Sequence, residues 1–266
     1  LGSVLKISGL RGKIPLIALC DNVIPHESRF GDQSLTRYFL KSNNQFLVMS
    51  NSVGKDISTF VDNPIINFHP HPVYDQFGDL LTKKEAINTL GLNPNKKYIL
   101  FFGFIRKYKG LDLLINALTT INKDVALIVA GEFYESESDY RSLVERLGLQ
   151  SRVHFFADFI PQENVTQFFS ACDLLVQPYR SATQSGVAQI AYHFDKPILV
   201  TNVGGLPEIV PHNKVGYVVD VNPKAISLAV NDFYDNNKEA AFIENVKQEK
   251  KKYSWLNMAQ QIINNI

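Results

Sequence analysis

The sequence has few cysteines and no long apolar run, and these absences exclude several classes of protein. Among its 266 residues only Cys20 and Cys172 are cysteines. Two thiols so far apart form neither a disulfide framework nor a zinc site. No segment reaches the ~18 apolar residues of a transmembrane helix. The formal net charge of +1 provides no overall attraction to nucleic acid.

The stretch from Ser170 to Pro211 carries the clearest structural signal. Leu174–Val176 and Ile198–Val200 are short apolar runs typical of buried parallel strands. Between them, apolar residues recur with helical spacing over Gln184–Phe194. This order of elements predicts half of a doubly wound sheet, whose ligands bind at the carboxyl ends of the strands. The segment before Gly186 therefore either favours a phosphate at a helix N-terminus or is a plain helix start.

The second strand continues into a glycine turn, and the residues from Lys196 to Val210 read KPILVTNVGGLPEIV. This stretch resembles the retaining GT-B glycosyltransferases, in particular glycosyltransferase family 4, also called group 1. The resemblance implies an α/β protein of GT-B type with Rossmann-like, doubly wound parallel sheets. It also implies that Gly204, Gly205 and Glu208 contact the donor sugar or nucleotide.

A GT-B enzyme has two Rossmann-like domains, and this sequence is too short for both. We therefore expect an amino-terminally truncated chain, inactive alone, with a partial N-terminal, acceptor-side domain over residues 1–71. A complete C-terminal, nucleotide-sugar-binding domain is expected over residues 72–250. Residues 251–266 are expected to form a helix that crosses back to the first domain.

The loop Gly103–Gly110 follows the predicted strand Lys97–Phe102. It resembles the family motif G-R-L-x-x-x-K-G, in which an arginine and a lysine bind the donor phosphates. Lys109 matches the lysine, whereas Phe104 stands at the arginine position and Arg106 follows two residues later. The alternative is a solvated basic loop. The predicted phosphate-binding residues are Gly103, Arg106, Lys109, Ser185 and Gly186.

Other loops at the same sheet edge supply the predicted sugar and nucleotide contacts. They are Glu132, Phe159, Ile160, Thr183, Gln184, Gly204, Gly205 and Glu208. The family motif also contains two glutamates that are separated by seven residues. This sequence departs from the motif there, because Ala182 and Ile190 stand at the two glutamate positions. Either neighbouring polar groups replace the glutamates, namely Thr183, Gln184, Ser185 and Gln189, or donor binding is altered.

On the acceptor side, the apolar run Pro15–Cys20 is followed by the polar residues Asp21 and His26. This segment resembles an acceptor-side segment of related glycosyltransferases, which implies catalytic roles for Asp21 and His26. The alternative is that Asp21 caps a turn and His26 is a surface or packing residue.

The resemblance implies sugar transfer from a UDP- or GDP-sugar to a hydroxyl group of a glycan or glycolipid, in cell-surface polysaccharide or glycolipid synthesis. It further implies retention of configuration and no metal or other cofactor. Two alternatives stay open: a non-catalytic nucleotide-sugar-binding module and a GT-B sugar-nucleotide epimerase. We expect a cytoplasmic protein with no nucleic-acid partner. The lysine-rich segment Val246–Lys252 is either a solvated surface or a peripheral contact with the inner face of an anionic membrane.

Overall fold

The computed structural model describes residues 16–25, 30–43 and 45–264. These residues form two compact units. The first comprises the described residues of Leu1–Pro72, Ala182–Gln184 and Lys252–Ile266, and the second comprises Val73–Ser181 and Ser185–Lys251. The boundaries between the two units, after residues 72 and 251, each lie one residue from the boundary expected from the sequence. In addition, the segment Ala182–Gln184 groups with the first unit.

The first unit contains a parallel sheet of three strands in the order β1-β2-β3. Its elements are β1 Ile17–Cys20, α1 Asp32–Leu40, β2 Gln45–Val48, α2 Asn51–Ser58 and β3 Ile65–Phe68, with a late helix Trp255–Asn264. Phe46 and Val48 face a core with Leu40 of α1 and Val53 of α2. Leu47, between them in sequence, faces Met258 of the late helix. Strand alternation thus lets helices cover both faces of this sheet.

The second unit contains six parallel strands, which confirms the predicted α/β fold with doubly wound sheets. Its helices are α3 Lys83–Thr89, α4 Leu111–Ala117, α5 Glu137–Arg146, α6 Gln162–Ala171, α7 Gly186–His193, α8 Leu206–Ile209, α9 Pro223–Asp235 and α10 Glu239–Glu249. Its strands are β4 Lys97–Phe102, β5 Val125–Ala130, β6 Val153–Phe156, β7 Leu174–Gln177, β8 Ile198–Thr201 and β9 Gly216–Val219. The late helix of the first unit is α11.

The strand order of this sheet is β6-β5-β4-β7-β8-β9. The chain moves outward from β4 to β6 and then returns to build β7 on the other side of β4. The order therefore reverses between β4 and β7, and such a reversal opens a crevice at the carboxyl ends of the two strands.

The central strands of this sheet are buried on both faces, which explains their uninterrupted apolar sequences. Ile99 and Phe101 of β4 pack into the main core with Leu114 of α4. Phe102 points to the opposite face, where its ring centroid lies 5.1 Å from that of Phe169 on α6. The apolar run therefore sufficed to predict the bounds of β4, Lys97–Phe102.

Candidate functional site

The loops that follow β4 and β7 meet at the reversal of strand order. Gly110, at the end of the loop after β4, has φ +69° and lies against Pro178, which follows β7. A Cβ atom on Gly110 would come within 2.1 Å of the Pro178 carbonyl oxygen. The backbone N–H of Arg180 donates to the Tyr108 carbonyl oxygen at 2.6 Å. Glycine at position 110 thus permits the close approach that joins the two loops.

A cavity of about 240 Å³ opens beside these loops within the second unit. It brings together five of the predicted site residues, namely Gly103, Lys109, Glu132, Phe159 and Ile160. The remaining lining residues are Phe102, Phe104, Gly131 and Val187. An apolar cavity with a few charged groups is the usual form of a small-molecule site.

Lys109 is the cation of this cavity. Its side chain is buried, and no described residue forms an ion pair or hydrogen bond with its ammonium group. The Tyr179 ring lies near this group, with its centroid 5.7 Å from Nζ. Burial, and secondarily the Arg106 guanidinium, lower the pKa of Lys109 from 10.5 to about 8. The fold thus holds a desolvated positive charge that an anionic ligand would stabilise.

Arg106 has a different position from that of Lys109. Its guanidinium carbon lies 4.5 Å from the centroid of the exposed Tyr134 ring, and Arg106 is not among the residues that line the cavity. Of the two predicted phosphate-binding cations, Lys109 therefore lines the cavity and Arg106 does not.

Gly131 is a lining residue that the site prediction missed. Its φ of +143° is unfavourable for residues with a side chain, and a Cβ atom there would lie 2.4 Å from the carbonyl oxygen of Gly103. The loops after β4 and β5 can approach each other only because Gly131 lacks a side chain. The run Val125–Ala130 followed by glycine was the sequence signal for this position.

The N-terminus of α7 lies at the β7 side of the crevice. The Ser185 hydroxyl accepts from the backbone N–H of Ala188 at 3.3 Å and from Nε2 of Gln177 at 2.6 Å. Ser185 is therefore the N-cap of this helix. A Cβ atom on Gly186 would lie 3.2 Å from the Tyr74 hydroxyl, so the helix start is closely packed there.

Sequence and structure comparisons place this arrangement among known proteins. A family model described as Glycosyl transferases group 1 matches residues 82–249, more than half of the chain. The chain belongs to this family. It is 29% identical to an uncharacterized glycosyltransferase of Methanocaldococcus jannaschii, an alignment that covers 71% of this chain and 50% of the relative.

A lipopolysaccharide core biosynthesis mannosyltransferase of Rhizobium meliloti is 33% identical over 48% of this chain and 38% of its own length. This group 1 chain thus spans half, or less than half, of the length of these two relatives. Among solved structures, HepE of Anabaena in complex with UDP-glucose superposes with a TM-score of 0.84 at 19% identity. That superposition covers 99% of this chain and 75% of HepE. It confirms the GT-B fold.

The departure of this glycosyltransferase family member from the family motif is also visible in its structure. Ala182 and Ile190, at the two glutamate positions, are both buried apolar side chains. One residue before Ile190, Gln189 is completely buried, and neither polar atom of its amide has a hydrogen-bond partner among the described residues. The Oε1 atom of Gln177 likewise has no partner in the described part of the chain. Gln189 is one of the neighbouring polar groups that the sequence offers as replacements for the glutamates, whereas Gln177 was not predicted as a site residue.

The other predicted sugar-contacting residues lie outside the cavity lining. Gly204 and Gly205 form the turn after β8, and Glu208 lies in α8, which begins after Gly205. Thr183 and Gln184 belong to the segment that groups with the first unit.

Of the predicted acceptor-side residues, Asp21 is exposed and directly follows β1 in the first unit. His26 lies outside the described residues.

Within residues 16–25, 30–43 and 45–264, no three His, Cys, Asp or Glu side chains come together as a metal-binding group. None of the helices in these ranges is long and apolar enough to cross a bilayer.

Proposed function

We propose that this protein is a glycosyltransferase that binds the nucleoside diphosphate of a UDP- or GDP-sugar in the cavity beside β4. The observation that carries the proposal is the buried ammonium group of Lys109, which has no partner among the described residues. A buried charge is costly unless it is paired. A diphosphate provides the missing negative charge, and a charge-assisted hydrogen bond in such a site is stronger than one between neutral groups.

The same cation suits the chemistry of sugar transfer. As the glycosidic bond to the donor phosphate breaks, negative charge grows on the leaving diphosphate. A positive charge that is already desolvated and held in place stabilises this charge without reorganisation. Lys109 and the N-terminal amides of α7 would perform this role, with retention of configuration and without a metal.

We propose a hydroxyl group of a glycan or glycolipid as the acceptor, in cell-surface polysaccharide or glycolipid synthesis. The Rhizobium relative is a lipopolysaccharide core biosynthesis mannosyltransferase, which supports this assignment. The UDP-glucose bound to HepE supports a nucleotide-sugar donor. Asp21 and His26 remain the proposed groups on the acceptor side.

A non-catalytic nucleotide-sugar-binding module is the second candidate. The observation in its favour is that Ala182 and Ile190 replace both family glutamates with buried apolar side chains. The two candidates agree on nucleotide binding and differ in turnover.

Calorimetric titration with UDP, GDP, ADP and dTDP tests the common part of the proposal. We expect binding of at least one nucleotide, weakened by about 10- to 150-fold in Lys109→Met, since hydrogen bonds to charged groups contribute ~1.5–3 kcal/mol. The control is Lys107→Met, which removes an exposed lysine from the same turn. Equal affinities in wild type and Lys109→Met would contradict the proposed phosphate site. Assays of sugar release with the protein of full length then separate the enzyme from the binding module.

A further inference from the structure

The loops after β4 and β5 continue the register of these strands beyond the strand ends. Phe102 pairs with Ala130 at the end of the ladder, and Ile105 bridges Phe133 with the same offset. The Ile105 N–H donates to the Glu132 carbonyl oxygen at 2.8 Å, and the Tyr134 N–H donates to the Ile105 carbonyl oxygen at 3.0 Å. The two loops therefore form a short, fixed parallel ribbon.

The ribbon determines which side chains face the cavity. Ile105 is completely buried in the main core, and Phe133 packs against that core. Because side chains alternate along extended backbone, Phe104 and Glu132 point to the other face, directly opposite each other in the register. Both line the cavity.

Phe104 is a supported, accessible ring surface. Its ring is 44% exposed and meets the Tyr134 ring edge-to-face, with centroids 5.0 Å apart. The Arg106 guanidinium in turn covers the Tyr134 ring. Such a stack fixes the orientation of Phe104, and a fixed aromatic face is a surface on which a nucleotide base can stack.

Glu132 is the one acidic residue among the nine residues that line the cavity. Its carboxylate has no hydrogen bond or ion pair with any described residue. An ionised carboxylate only accepts hydrogen bonds, and it can accept two from adjacent donors. The partner that suits it is a ring edge with two neighbouring N–H donors.

We propose that Glu132 determines the base specificity of the donor and that this base is guanine. Guanine presents N1–H and the N2 amino group side by side on its Watson–Crick edge, so both can donate to one carboxylate. Adenine and cytosine place an acceptor nitrogen beside their amino group, and uracil places a carbonyl oxygen on each side of its N–H. The carboxylate would repel these acceptors. The inference rests on the proposed nucleotide-sugar function and selects the GDP-sugar within it.

Titration with GDP, IDP, UDP and ADP tests this inference, because the base of IDP retains N1–H and lacks the N2 amino group. For wild type we expect GDP to bind about 10-fold or more tightly than each of the other three nucleotides. In Glu132→Gln we expect GDP affinity to fall by about 10- to 100-fold and the preference for GDP over IDP to disappear. UDP affinity should not fall but rise in this variant, because the variant lacks the charge that repels the uracil carbonyl oxygens.

The control variant is Asp158→Asn, which removes an exposed carboxylate next to Phe159 that does not line the cavity. It should retain the GDP preference. If Asp158→Asn rather than Glu132→Gln abolishes this preference, the assignment of Glu132 is wrong. Tightest binding of UDP or ADP, weakened in Lys109→Met, would overturn the guanine inference and leave the proposed function intact. Absence of binding by all four nucleotides would overturn both.

Discussion

Replacement of Lys109 by methionine should stabilise the protein while it weakens nucleotide binding. Methionine has a similar length and no charge, so it removes the cost of keeping an ammonium group away from water and from counter-charges. In the folded protein the pKa of Lys109 is lowered from 10.5 to about 8, first by burial and then by Arg106. Since a tenfold change in a protonation constant corresponds to ~1.4 kcal/mol, the charged side chain costs ~3 kcal/mol at pH 7.

The pH dependence of this gain follows from the lowered pKa. Below pH ~8 Lys109 is protonated in both the folded and the unfolded chain, and the full cost applies. Between pH ~8 and ~10.5 the folded protein releases this proton while the unfolded chain retains it, so the stability of wild type rises relative to the variant. The advantage of Lys109→Met should therefore fall from ~3 kcal/mol at pH 7 to about half that value or less at pH 9.5.

Urea unfolding of both proteins at the two pH values measures this difference. The control Lys107→Met concerns an exposed side chain and should change the free energy of unfolding by less than ~0.5 kcal/mol at either pH. A variant less stable than wild type at pH 7, or an advantage that is the same at both pH values, would refute the description of Lys109 as a buried unpaired cation.

Two further predictions concern other residues near the crevice. Gly131→Ala should lower the free energy of unfolding by ~2–5 kcal/mol, because its Cβ atom would meet the Gly103 carbonyl oxygen at 2.4 Å. Gly148→Ala, also at positive φ but with open space around its Cβ position, should lose only ~1–2 kcal/mol in the same urea experiment, and equal losses would contradict the close approach. Gln189→Leu should raise the free energy of unfolding, again measured with urea, by ~1 kcal/mol. The reason is that it removes a buried amide that has no partner among the described residues. Gln177→Leu, which loses donor contacts to Tyr179 and Ser185, should be destabilising, and a comparable loss in Gln189→Leu would show that its amide is paired.

The sequence was informative wherever local composition decides structure. Strands that are buried on both faces must be apolar along most of their length, so β4 could be predicted at its observed bounds. The turn Gly204–Gly205 and the loop ending at Lys109 and Gly110 carried the family resemblance, which the family match confirmed.

The lysine-rich segment was harder to interpret, because neighbouring elements supply its partners. Lys250 pairs with Asp195, and Lys214 pairs with the buried carboxylate of Glu249, which lies in α10. None of these contacts has a local sequence signal, since the partners lie 55 and 35 residues apart in the chain.

The sequence by itself determined the fold class, the family and the positions of Gly103 and Lys109 in a loop at a strand end. Tertiary structure alone decided that Lys109 is buried without a partner in the described part of the chain, and that Arg106 lies on Tyr134 instead of lining the cavity. It also decided that Phe104 and Glu132 face the cavity together. The physical reason is that apolar periodicity is a local property of the chain, whereas burial, charge pairing and register depend on residues that are distant in sequence and meet only when the sheet has formed.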